Sequence, residues 1–177
     1  GEYVSDVNWT EAANKSTETY IKYFFENAGG RNTFAGEIYW EKPNTPETGE
    51  PVSTGGSGGW SQGHALDIVT DAYVRHADNS EYQTYLYENI MKPFLPAFDE
   101  WNRTCGYGGN DFWNNFYDDM EWMALACLRV YELTGDQDYY SALMKMWDHI
   151  KGAKNDYKGV GGMAWKTDAP ASRMSCS

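Results

Sequence analysis

Basic residues are scarce: 14 Lys and Arg face 26 Asp and Glu, giving a net charge of −12 at pH 7 and a pI near 4.5. That sign repels phosphate backbones and anionic lipid surfaces, so no nucleic acid is expected as a partner. Cysteine is scarcer still. Cys105, Cys127 and Cys176 are odd in number and lack the CxxC spacing of zinc or redox sites, so no disulfide framework is read from them. No apolar run approaches the roughly 20 residues that cross a bilayer, so no membrane span is expected. His64, His76 and His149 share neither HxxxH nor HxxE spacing. Asp99, Asp111, Asp136 and Asp138 lack the Asp-x-Asp-x-Asp-Gly order of a calcium loop, so neither a metal nor a cofactor is expected. Alternating strand patterns longer than a few residues are also missing, which points to an all-α class.

Aromatic residues, by contrast, are abundant. They make up 16% of a chain whose mean hydropathy is −0.70, which implies an aromatic core or rings lining a cleft for an amphipathic ligand such as a sugar. At 177 residues the chain suffices for one domain with its own core, and residues 1–177 are read as a single helical domain. Asn8, Asn14 and Asn102 head glycosylation-type triplets, and no leader precedes Gly1, so the compartment stays open on these features.

At least five helices are expected. The first spans Trp9 to Phe25 behind a cap at Asn8, and the second about Trp60 to His76. The third covers about Ser80 to Trp101, with Pro93 and Pro96 bending or ending it. The fourth runs from Tyr117 to Leu133 and stops at Thr134-Gly135-Asp136, and the fifth from Gln137 to Ile150. Residues 28–59 form a long Gly/Pro-rich loop in which no regular element is expected and Tyr39-Trp40 supplies an anchor. Ala65-Leu66 and Ala124-Leu125 lie 59 positions apart, as do Trp60 and Asp119, while Tyr73 and Tyr131 are 58 apart. That period suits a repeated helical hairpin, whose apolar face needs a neighbour.

The chemistry concentrates at Asn114-Asn115-Phe116-Tyr117-Asp118-Asp119, where two consecutive carboxylates open the fourth helix. Two readings are open. In one, the aspartates cap the helix, with Asp118-x-x-Glu121 as a capping box. In the other they are the carboxylate pair of a glycosidase. At a helix entrance both can face one cleft, the free N–H groups keep one ionised, and its charge keeps the other protonated. Trp113, Tyr117, Trp165, Trp40 and Tyr107 are candidate sugar-binding residues, whereas Trp122, Trp147 and Tyr131, at helical spacing, are read as core.

Tyr117-Asp118-Asp119-Met120-Glu121-Trp122-Met123-Ala124-Leu125-Ala126, continuing through Arg129 to Tyr139, resembles the hallmark of glycoside hydrolase family 76, the endo-α-1,6-mannanases and their fungal cell-wall relatives. Gly161-Gly162-Met163-Ala164-Trp165-Lys166 resembles the family's later glycine-rich turn, and Trp60 to Tyr73 is a looser match. The resemblance implies an (α/α)6 toroid of helical hairpins, a retaining mechanism on α-mannan, Asp118 as nucleophile and Asp119 as acid/base. It also implies a secreted, periplasmic or cell-surface protein. Arg173-Met174 stands where the family has Lys-Asn. A toroid of six such hairpins needs about 300 residues, so the chain is expected to hold about half of one, its N-terminal half. A partner chain or missing C-terminal half would then cover the last helix. The rival functions are a non-catalytic glycan-binding or cell-wall-associated protein on the same scaffold, and a helical-repeat interaction protein whose aspartates only cap.

Overall fold

Asn8 begins the helical part of the chain as expected: its Oδ1 accepts the N–H of Glu11 at 3.1 Å, capping α1 (Trp9–Tyr20). The computed structural model describes residues 7–26, 30–36, 38–40, 51–53, 58–155 and 161–168. A wider helical turn, Ile21–Glu26, prolongs α1 and buries Ile21 and Phe25. The remaining helices are α2 (Gly59–Arg75), α3 (Ser80–Leu86), α4 (Lys92–Thr104), α5 (Tyr117–Thr134) and α6 (Gln137–Ile150).

The two prolines do not end the third expected helix. A wide turn at Tyr87–Met91 joins α3 to α4, so that Pro93 falls in the first turn of α4, where its missing N–H costs little, and Pro96 is carried inside the helix. The long loop is not wholly irregular either. Ile38-Tyr39-Trp40 (β1) pairs antiparallel with Pro51-Val52-Ser53 (β2), because β-branched and aromatic residues favour an extended ribbon. Its described anchor is Phe34, which is fully buried and whose N–H and C=O are both taken by the side-chain amide of Gln62, at 3.0 and 2.8 Å. A second ribbon joins β3 (Lys154–Asn155) to β4 (Gly162–Met163). Both are too short to alter the all-α class.

The repeat becomes a geometry. Going along both helices in the same direction, Gly59 meets Asp119, Gly63 meets Trp122 and Met123, and Asp67 and Asp71 meet Arg129. So α2 and α5 lie side by side and parallel. A Cβ at Gly63 would stand 3.1 Å from the Trp122 backbone, so glycine permits this close approach. Each is followed after a short turn by an antiparallel partner. The partners, α3–α4 and α6, are tied together by Tyr139 Oη donating to Met91 O at 2.6 Å and Tyr87 Oη donating to Asp136 Oδ2 at 2.8 Å. Leu66, Val69, Met120 and Met123 are buried in the common core. Each such side chain contributes about 1.5–3 kcal/mol relative to exposure.

One side of α5 and α6 stays open. Trp122 and Trp147, expected in the core, are 40% and 49% exposed. With Leu125, Leu128 and Leu143 they line an apolar groove of about 650 Å³. Their helical spacing reports an apolar stripe correctly, but no described element covers it. Asn102, within one of the glycosylation-type triplets, is buried with its amide committed to Trp113 O at 2.8 Å, which excludes it as an acceptor in the folded chain.

Candidate active site

Two loops converge on the start of α5. In the first, buried Asn102 and Asn114 form a polar knot: Asn114 Nδ2 donates to Asn102 Oδ1 at 3.2 Å, and Asn114 Oδ1 accepts the N–H of Phe116 at 2.9 Å. The second, residues 161–168, zips onto it through Tyr117 N–H to Trp165 O at 3.1 Å and Thr167 N–H to Asn115 O at 2.9 Å. Satisfied buried amides of this kind hold a loop in one shape. They bring Phe116 between Tyr107 and Trp165, with ring centres 6.0 and 5.5 Å away. Lys166 Nζ lies 5.6 Å from the Phe116 ring centre.

Phe116 is the N-cap of α5 and makes no side-chain cap bond, so the two aspartates sit inside the first turn and Asp118 is not the head of a capping box. Instead Asp118 Oδ1 accepts the N–H of Asp119 at 3.1 Å. Asp119 is buried and crosses to the start of α2, where its carboxylate takes the N–H groups of Gly59 and Trp60. Burial, then the charge of Asp118, push the Asp119 carboxyl up to about 6, against the pull of those two N–H groups. Burial, with Cys105 and Asp119 close by, also raises the Tyr107 phenol.

A cleft of about 300 Å³ opens over this pair, lined by Gly58, Trp60, Tyr107, Phe116, Asp118, Asp119 and Trp165. Of the residues singled out from sequence, it gathers Asp118, Asp119, Tyr107 and Trp165. Two others lie elsewhere. Tyr117 is buried beneath, packed in the core because its position in the first turn points it inward. Trp113 folds back over Gly109, its carbonyl held by the Gly109 N–H at 2.8 Å and by Asn102. The Trp40 backbone pairs with Pro51, while its side chain, like Arg173, Met174 and Cys176, lies outside the described residues. Sequence reasoning did not choose Trp60 or Phe116 as ring platforms. The signal was there for Trp60, because the 59-residue register sets it level with Asp119. Among the described residues no group of three or more His, Cys, Asp or Glu is placed to hold a metal ion.

No family model matches the chain, and no curated protein does. Solved structures do. An α-1,6-mannanase of Salegentibacter sp. HEL1_6 is 32% identical at a TM-score of 0.67, over 92% of this chain and 40% of that one. An inactive variant of that enzyme, with two consecutive aspartates replaced by alanine and α-1,6-mannotetrose bound, matches over 93% of this chain and 40% of its own at 30% identity and a TM-score of 0.67. The Lin0763 protein of Listeria innocua is 27% identical at a TM-score of 0.61, over 90% of this chain and 40% of its own. The chain thus spans about two fifths of the length of the solved proteins it matches. With its fold matched over 92–93% of this chain, and close to a third of the residues in common with the mannanase, it is a protein of the glycoside hydrolase family 76 type.

Proposed function

We propose that this protein is a retaining glycosidase acting on α-1,6-mannan, with Asp118 as nucleophile and Asp119 as acid/base. One observation carries the reading: two consecutive carboxylates open into a ring-lined cleft, and one of them holds its proton up to a pH of about 6. A carboxyl with a midpoint of about 6 keeps a protonated fraction close to neutrality that can donate to a leaving glycosidic oxygen, while its neighbour attacks the anomeric carbon. The C–O bond to the leaving sugar breaks as the ester to Asp118 forms. Asp119, now ionised, then takes a proton from water, whose oxygen displaces Asp118 and restores the starting configuration. The charge of adjacent Asp118 is itself one cause of the proton's retention on Asp119. Trp60, Tyr107, Phe116 and Trp165 offer faces on which a mannose ring can stack.

The α-1,6 linkage rests on the oligosaccharide bound by the mannanase variant. A cell-wall polysaccharide substrate places the work outside the cytoplasm, in a secreted, periplasmic or cell-surface protein. The test is incubation of the folded protein with linear α-1,6-mannan, following reducing ends and the anomer first released by proton NMR. New reducing ends that appear first as the α-anomer are expected. Binding of mannan without cleavage would return the protein to the glycan-binding class, and β-anomer first would replace the retaining mechanism by an inverting one.

A further inference from the structure

The first turn of α2 meets Asp119 in a way the two-carboxylate reaction alone does not require. Gly58 caps α2 and has no side chain to satisfy its free N–H groups. Asp119 does so from the neighbouring helix, taking the N–H groups of Gly59 and Trp60. The fit is tight at one atom. A Cβ at Gly59 would stand 3.0 Å from Asp119 Oδ2 and 3.5 Å from its Cβ and Cγ, a spacing that forces the carboxylate to give way. Gly59 is itself buried, so the methyl has no room to turn aside and the carboxylate must move toward the cleft.

We propose that Gly59 is a positioning residue: its bare α-carbon lets Asp119 dock on the first turn of α2, and this docking fixes the direction in which the acid/base faces the cleft. The proposal rests on the reading of Asp119 as acid/base and adds the element that aims it. Its physical content is a balance. Burial and Asp118, on the same helix, favour the protonated form, whereas α2 offers only its two backbone dipoles, which favour the ionised form. Among the described residues lining the cleft, Tyr107, from the preceding loop, is the other titratable group, and its phenol is held neutral. Without the two N–H bonds Asp119 would bind its proton more tightly. It would still serve as an acid, but as a poorer base in the second half of the reaction.

The experiment is an NMR titration that does not depend on turnover. In the unmodified protein the amide signals of Gly59 and Trp60 should shift with a midpoint near that of the Asp119 carboxyl carbon, and should become flat in Asp119→Asn. In Gly59→Ala the Asp119 midpoint should move upward by about half a pH unit or more, since one unit corresponds to a tenfold change in proton affinity. The basic limb of kcat/KM should move with it, and kcat should fall more than KM changes. Wild-type amides that ignore the Asp119 titration would overturn the proposal, as would a folded Gly59→Ala with an unmoved midpoint. Should Gly59→Ala fail to fold, the comparison of wild type with Asp119→Asn decides alone. Coupled amides in a protein that cleaves no mannan would reject the glycosidase reading and leave the docking intact; cleavage with uncoupled amides would reject the docking only.

Discussion

Two pairs of aspartates stand on the same two parallel helices, and their surroundings are opposed. Asp67 and Asp71 on α2 share one guanidinium: Arg129 Nη1 lies 2.6 Å from Asp67 Oδ1, and Nη2 lies 2.5 Å from Asp71 Oδ1. Those bonds raise Arg129 above its ordinary range. At the other end, the groups among the described residues that act on Asp119 are Asp118 and two backbone N–H donors, with no cation among them, and its carboxyl rises to about 6. Identical side chains are therefore cross-links in one place and a proton-holding pair in the other. A fold that neutralises one pair with an arginine and leaves the other facing a cleft is what the proposed catalytic role of Asp118 and Asp119 would require.

The sharpest way to break that comparison is to remove the charge at each end and follow turnover. Asp118→Asn and Asp119→Asn should each lower mannan cleavage by about 10²–10⁴-fold, the range for losing a positioned acid, base or nucleophile. Asp67→Asn and Asp71→Asn should leave it unchanged. An aryl mannoside with a good leaving group needs no protonation, so it should restore the first step for Asp119→Asn and not for Asp118→Asn. Rescue confined to Asp118→Asn would exchange the two roles, and parent rates in both variants would reduce Asp118 and Asp119 to structural carboxylates.

Why Asp67 and Asp71 stayed hidden in the sequence while Asp118 and Asp119 did not is a matter of distance along the chain. Asp118 and Asp119 are neighbours, so their type and place at a helix entrance are visible locally. Asp67, Asp71 and Arg129 are joined by a helix packing that only the 59-residue register hints at. Helix starts followed local chemistry, as at Asn8 and Asp136, each of which caps its own helix. The long-range contributors were missed for the same reason: Trp60 enters the cleft from α2, and Gln62 pins Phe34 through both of its backbone groups. Trp113 and Tyr117 show the converse error, since nearness in sequence to the carboxylates does not make a residue face the cleft. Helical periodicity placed Trp122 and Trp147 on an apolar stripe, but periodicity cannot say whether anything covers it.

A smaller effect, of opposite sign for stability, follows from the raised Asp119. Its carboxyl binds a proton more tightly in the fold, with a midpoint of about 6 against an ordinary 3.8, so keeping it ionised at pH 7 opposes folding. The cost is on the order of 2 kcal/mol, taken below the full value of about 1.36 kcal/mol per unit because the cleft is open to water. It is present above pH 6, shrinks as the pH falls through 6, and is gone below about pH 4, where the folded and unfolded carboxyls are both protonated. Asp119→Asn should therefore unfold at higher urea than the parent at pH 7 and match it near pH 3.5. A variant that is less stable at pH 7 would show that the bonds to α2 outweigh the burial of charge.

The smallest effect belongs to Asp67 and Asp71. Arg129→Met keeps the reach of the side chain along the helices and removes the fork that joins Asp67 and Asp71. Arg129 is 39% exposed and its two partners 28% and 55%, so water already screens the attraction and the bonds are worth far less than their short distances suggest. The expected loss is about 1 kcal/mol in urea unfolding, and it should shrink further in molar salt, where the screening length falls to about 3 Å. Turnover should not change, because ten residues of α5 separate Arg129 from Asp119, about 15 Å at the helical rise. The comparison between the two ends turns on this number. A loss of 3–5 kcal/mol that salt leaves untouched would mean that the fork is sealed from solvent and that both aspartate pairs are charges buried at a cost, one relieved by an arginine and the other by a proton.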